Sequence, residues 1–157
     1  MFWRGILKNK TVKLIVIIVL ILVLIDQASK ILVTNFIDQP MGNEFFKFEI
    51  TNNTGFALGF NDGSNVKNIF IMAFVLFIVI RFIKNQIELI DTKTAVALSM
   101  VLAGGCSNLI DRIARGAVLD FIKIYKFPIF NIADMLVVVG TILLVIFLVI
   151  FTRKIEV

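Results

Sequence analysis

Long apolar runs, each closed by a short polar stretch, set the plan of this chain. Arg4, Lys8, Lys10 and Lys13 precede a run from Val12 to Ile25, which is broken by Asp26-Gln27-Ala28-Ser29-Lys30 and resumes at Ile31-Leu32-Val33. No A-x-A-like cleavage site follows, so the stretch reads as a retained membrane helix over 12–33 rather than a removed leader. A second run, Ile69 to Ile83, contains only Arg81, which can snorkel beside Lys84; extended back to Val66 it predicts a helix over 66–83. The third, over 94–110, carries Ala103, Gly104, Gly105, Cys106 and Ser107, small residues that let helices approach closely, so this face should point into the bundle. The fourth, over 131–151, is stopped by Arg153 and Lys154. Between the first two helices, Pro40, Gly42, Asn43, Asn52, Asn53 and Gly55 punctuate a stretch where Phe46, Phe48 and Ile50 alternate with Lys47 and Glu49. That period of two predicts a short strand with one wet face, in a β element over about 40–63. The expected fold is a single integral membrane domain over 1–157: a membrane α-helical, four-transmembrane-helix bundle with a small extramembrane β element on its outer face.

Composition supports this plan and narrows the chemistry. Of 157 residues, 59% are hydrophobic and 17% charged, against about a quarter charged in ordinary soluble domains. There is no His, which removes imidazole catalysis and His-based metal sites. The single Cys106 has no partner for an intramolecular disulfide and no His to activate it. The net charge of +5 is scattered along helix ends instead of gathered with aromatics, so no nucleic-acid partner is expected. With four spans, both termini share a side. That side holds nine of the sixteen Lys and Arg residues, at 4, 8, 10, 13, 81, 84, 93, 153 and 154. The bias puts both termini in the cytoplasm. The connections 34–66 and 111–130 then share the outer face.

The acidic residues Asp111, Asp120 and Asp134 lie in the stretch from Asn108 to Asp134. Asp111 has Arg112 beside it to neutralise it, whereas Asp120 and Asp134 border apolar runs, where a lone carboxylate is costly and marks a functional site. Asp120 falls in the expected outer loop, and Asp134 in the first turn of the fourth helix, where the helix dipole favours an anion. If the loop folds back, the two share one proton, one acting as base toward a water and the other as acid. The same spacing also suits a plain helix-start anion at Asp134, a loop charge paired with Lys123 at Asp120, an ordinary helix-end network at Asn108, Asp111 and Arg112, and an N-cap at Asn131. From spacing alone both readings stand.

Several motifs together resemble one family. N-L-I-D-R at 108–112, G-A-V-L-D-F-I at 116–122 and F-N-I-A-D at 130–134, with D-Q-A-S-K at 26–30 and N-T-G-F-A-L at 53–58, are similar to the ordered motifs of the lipoprotein signal peptidases, the signal peptidase II family. The resemblance covers nearly the whole chain. It departs from the family's pattern at Phe56, where a second Ala is often found, which bears on the shape of the β element. The resemblance implies a cofactor-free, metal-free aspartyl endopeptidase of the bacterial cytoplasmic membrane that cuts prolipoproteins before a diacylglyceryl-modified Cys. It implies catalytic aspartates at Asp120 and Asp134 and supporting roles for Asn53, Asn108, Arg112, Asn131, Asp26 and Lys30. Lipid-modified prolipoprotein, membrane lipid and globomycin-type inhibitors are the implied partners. Phe45, Phe46, Phe48 and Phe60 of the β element would rest on lipid and cradle the substrate.

Two rivals follow from the residues. Ser29 and Lys30 suggest a Ser-Lys protease, but neighbours on a helix point about 100 degrees apart. A small transporter or channel subunit would use Asp26 and Asp134 as intramembrane ion ligands, though no inverted repeat or broken helix pair is visible.

Overall fold

The computed structural model describes residues 9–55 and 65–155, with side chains to residue 147. Arg4, Lys8, the Phe56-Ala57-Leu58 end of one motif, Phe60 and the 56–63 end of the expected β element lie outside the described residues.

Four helices and three strands follow one another as α1 (Lys10–Phe36), β1 (Met41–Gly42), β2 (Phe46–Asn53), α2 (Asn65–Gln86), α3 (Thr92–Arg115), β3 (Val118–Ile124) and α4 (Ile132–Ile155). Asn9 caps α1 by accepting from the Thr11 backbone N–H at 2.8 Å, and Asp91 caps α3 by accepting from that of Thr94 at 2.8 Å. Helix α1 has 27 residues, about 40 Å at 1.5 Å per residue, more than the hydrocarbon of a bilayer requires. Helices α1, α2 and α3 are long and apolar enough to cross a membrane, and the 24-residue α4 has its described apolar stretch over Ile132–Phe147. Leu20, Leu24, Phe70, Phe74 and Val138 stand more than half exposed, while Asp26, Lys30 and Asp111 are fully buried. Such an inside-out distribution suits lipid as the solvent, because ionised groups in a bilayer must find partners within the protein.

The helices run past their expected ends of 33, 83, 110 and 151. The largest correction is at α3, which continues through Asp111 and Arg112 to Arg115 because both are buried within the bundle and so do not mark a water boundary. Gly116 ends it in the left-handed conformation, at φ 78°.

Helix α3 is the centre of the bundle, packed against the other three helices. Its small residues work on two sides. A Cβ on Gly104 would collide with the Ala133 carbonyl oxygen of α4, and one on Gly105 would lie 2.9 Å from Leu76 Cδ2 of α2. Farther along α4, a Cβ on Gly140 would lie 2.9 Å from the Ala97 carbonyl oxygen. The missing side chains thus allow near backbone contact between α3 and the first turn of α4, next to Asp134. At the other end of α3, Ile15, Leu76, Ile83, Ala95, Leu98 and Leu102 form the apolar core.

The strands form one antiparallel sheet in the order β1-β2-β3, joined to the ends of α1 and α3 and the start of α4. Side chains in β2 alternate in direction, Lys47 pairing with Glu49 at 2.7 Å and the rings of Phe46 and Phe48 meeting edge to face at 5.2 Å. The single wet face expected is not seen, since Phe46 is exposed while Lys47 and Glu49 are half-buried. Asp120 lies in β3, which corrects its expected place in a loop. The run V-L-D-F-I-K-I is apolar at both parities and its first four residues are buried, so no alternation announced a strand. Between the pairs Phe48↔Ile122 and Thr51↔Asp120 the register slips by one residue in β2. This bulge turns the end of β2 toward the site, a common use of an extra residue. Past a turn at Tyr125, whose φ is 41°, the chain returns. Phe130 then exchanges hydrogen bonds with Ile122, at 2.8 and 3.1 Å.

Candidate active site

The Phe130 bridge determines what comes next in the chain. Asn131 follows it directly, so its side chain is delivered beside Asp120 of β3. As the N-cap of α4, Asn131 Oδ1 accepts from the Asp134 backbone N–H at 2.8 Å, and its own N–H donates to Asp134 Oδ2 at 3.2 Å. This is a reciprocal capping box with Asp in the place of Glu. The Asn131 Nδ2 group meanwhile donates to Asp120 Oδ1 at 2.7 Å. One buried asparagine therefore holds both carboxylates.

Each remaining carboxylate oxygen also has an amide donor. Asn53, set by the β2 bulge, donates to Asp120 Oδ2 at 2.9 Å, and Asn108 of α3 donates to Asp134 Oδ1 at 2.8 Å. Asp120 is only 2% exposed. Burial pushes its carboxyl up to about 6, the charge of Asp134 adds to that, and the Asn53 and Asn131 hydrogen bonds and the Lys30 charge oppose it.

Arg112 reaches the same end of the bundle. Its Nη2 donates to the Gly55 carbonyl, the carboxylates that act on its charge are Asp120 and Asp134, and its buried Nε and Nη1 have no hydrogen-bond partner among the described residues. The expected pairing of Arg112 with Asp111 is not what the structure contains. Asp111 instead pairs with Lys30 at 2.7 Å and with Arg115 at 3.1 Å. Adjacent helical residues diverge, whereas those four apart share a face.

Behind the two aspartates lies a second polar layer between α1 and α3. Lys30 pairs with Asp26 at 2.6 Å as well as with Asp111, and its ammonium lies 3.4 Å from Asn108 Oδ1. Asp26 accepts from the Ser107 hydroxyl at 2.6 Å and from the Ala133 backbone N–H at 2.8 Å, so α1 helps cap α4. Gln27 donates to Ser107 Oγ at 2.9 Å and to Asp111 Oδ1 at 3.1 Å. Sequence reasoning overlooked Gln27, Ser107 and Arg115. The four-residue spacings Asp26 to Lys30 and Asp111 to Arg115 were the available signal.

The structure thus brings Asp120, Asp134, Asn53, Asn108, Asn131 and Arg112 to one end of the helices and sets Asp26 and Lys30 directly behind them. Lys123 does not pair with Asp120; its ammonium donates to the Phe127 carbonyl at 2.9 Å. The Ser29 hydroxyl donates to the Asp26 carbonyl at 2.6 Å, and Lys30 is held by two carboxylates, which leaves no Ser-Lys pair. Asp26 is likewise committed to Lys30, Ser107 and Ala133, an arrangement poor for a transported ion. Among the described residues no three His, Cys, Asp or Glu side chains stand together as a metal site would require.

Apolar helices around two aspartates tied to one asparagine define an integral membrane protein with a buried pair of carboxyl groups at the helix ends. Comparison with known proteins gives that class a family. The family model described as signal peptidase (SPase) II matches residues 18–150. The lipoprotein signal peptidase of Borrelia hermsii is 35% identical over 150 residues, spanning 84% of this chain and 87% of its own length. That of Clostridium tetani is 34% identical over 149 residues, spanning 85% and 91%. A solved structure described as a bacterial membrane enzyme, obtained by the in meso method at 2.3 Å resolution, superposes with a TM-score of 0.78 at 30% identity, over 89% of this chain and 90% of that one. The chain belongs to the signal peptidase II family and is a membrane protease.

Proposed function

We propose that this protease is an aspartyl endopeptidase that removes the signal peptide from bacterial prolipoproteins, cutting before the diacylglyceryl-modified Cys, with Asp120 and Asp134 as its catalytic pair. The observation that carries this reading is the pair of Asn131 hydrogen bonds, one to each aspartate. Charge balance supports it. Asp26, Asp111, Asp120 and Asp134 face Lys30, Arg112 and Arg115 in the two layers, so a single proton held between Asp120 and Asp134 leaves the cluster neutral.

In the reaction, the ionised member of the pair takes a proton from a water, whose oxygen bonds to the scissile carbonyl carbon. The protonated member gives its proton to the carbonyl oxygen. As the tetrahedral centre collapses, the C–N bond breaks and the amine leaves with a proton returned through the pair, which ends as it began. Nε and Nη1 of Arg112, without a partner among the described residues, are donors for the substrate carbonyl, which their positive charge polarises as the protonated member delivers its proton.

The bias of Lys and Arg toward one side supports a cytoplasmic-membrane protein with both termini inside and the site near the outer face. There the acyl chains of a lipidated substrate remain in hydrocarbon while its peptide reaches the sheet. Exposed Phe45 and Phe46, with Phe45 stacked on Tyr125 at 6.4 Å, suit a surface resting on lipid. The test is cleavage of a diacylglyceryl prolipoprotein by purified protein in detergent, beside an unlipidated control. Cleavage of the lipidated form alone, leaving the modified Cys at the new N-terminus and blocked by globomycin, is the expected result; no cleavage, or equal cleavage of both substrates, contradicts the reading.

A further inference from the structure

Lys30 is the largest fully buried side chain of the described residues, and its role as a counter-ion for Asp26 and Asp111 leaves one contact unexplained. An ammonium has three hydrogens and no acceptor. Two go to Asp26 and Asp111, and the third points at Asn108 Oδ1, 3.4 Å away. That oxygen also accepts from Asn131 Nδ2 at 3.1 Å, while the other end of the same amide, Nδ2, donates to Asp134 at 2.8 Å.

An asparagine amide has two ends of nearly equal shape and opposite chemistry. Turned over, Asn108 would present N–H groups to an ammonium and to a second amide donor, and an oxygen to a carboxylate. Every contact would then be repulsive. Asn131 alone imposes the present orientation weakly, because its Nδ2 also serves Asp120 at 2.7 Å and the Leu119 carbonyl at 3.3 Å. Lys30, which can accept nothing, imposes it without competition.

Resting on the catalytic reading of Asp120 and Asp134, we infer that Lys30 is a positioning residue for Asp134. From α1 it fixes the Asn108 amide so that a donor, never an acceptor, meets the Asp134 carboxylate. Its counter-ion role is separable from this one. In the double variant D26N/K30M the layer loses one charge of each sign, and residue 26 keeps an oxygen for the Ala133 N–H. Replacing both members of a buried ion pair is often close to neutral for stability. The amide of Asn108 nevertheless loses its one uncompeted donor.

The experiment measures kcat and KM for a lipidated substrate together with thermal unfolding in detergent, for wild type, D26N/K30M, N108A and D134N. D26N/K30M is expected to unfold near the wild-type temperature, with KM within about threefold and kcat reduced about 100-fold, the cost of a misaligned catalytic group. N108A, in which Lys30 keeps both carboxylates, is expected to show the same kcat loss. Wild-type kcat in folded D26N/K30M overturns the inference, since a counter-ion alone would then account for Lys30. Should D26N/K30M not fold, N108A decides, because wild-type kcat there removes the group through which Lys30 acts. An active D134N overturns the catalytic pair itself, whereas an inactive D134N beside a fully active N108A overturns the positioning role alone.

Discussion

Replacing Asp120 by Asn tests the electrostatics of the site apart from its catalysis. The carboxyl of Asp120 is pushed from its ordinary 3.8 up to about 6, chiefly by burial. The folded protein therefore holds the proton more tightly than the unfolded chain does. The stability this contributes is fully present below the unfolded value near 3.8 and is lost as pH rises through about 6. The separation corresponds to roughly 3 kcal/mol, so at neutral pH the wild-type fold carries an ionised carboxylate at about that cost. Asn carries no charge and escapes it. Against this, one of the two donors from Asn53 and Asn131 would face the new amide nitrogen, and a lost hydrogen bond to a charged group costs about 1.5–3 kcal/mol. The two effects nearly cancel at pH 7. D120N should then unfold within about 4 °C of wild type at that pH, by the usual conversion for a chain of this size, and fall below it at pH 4.5, where the wild-type carboxyl is mostly protonated. The assay is thermal unfolding in detergent from pH 4.5 to 8. A difference between D120N and wild type that stays constant across this range would refute the reasoning.

Other changes probe other parts of the account. S29A should retain full turnover, because among the described residues the Ser29 hydroxyl bonds within α1, to the Asp26 carbonyl; abolished turnover with intact folding would revive the Ser-Lys mechanism. R112A should lower kcat by a hundredfold or more, in the range found for the loss of an oxyanion donor, and should also lower the unfolding temperature as the Gly55 contact is lost; unchanged kinetics would remove Arg112 from the site. G104A forces a Cβ against the Ala133 carbonyl, which should destabilise the protein by about 1–3 kcal/mol and reduce turnover by moving Asp134. Unfolding and turnover both at the wild-type level would mean that α3 and α4 do not approach as closely as described.

Much of the fold was legible because lipid demands long uninterrupted apolar runs, and these placed all four helices. What was illegible lay where periodicity is silent. The strand Val118–Ile124 is buried on both faces at its start, so its sequence carries no period, and with it went the position of Asp120. Asp111 and Arg112 looked like partners because they are adjacent, yet a helix turns adjacent residues apart and gives Asp111 to Arg115, four positions on. Asn131 could be read as a cap or as part of the site. In the structure it caps α4 and also bonds Asp120, the two contacts using different atoms of one side chain. The depth of Lys30 also escaped a linear reading: its partners on α3 are separated from it by 78 positions or more.

The central claim is that two aspartates, brought from a strand and a helix start, act as one unit on a water. Turnover of a lipidated prolipoprotein by D120N, D134N and the double variant measures this most directly, because groups that act together are not additive. Each single change should abolish cleavage in a folded protein, and the double variant should be no worse than either. Measurable turnover in a single variant, or losses that multiply in the double, would contradict a shared role.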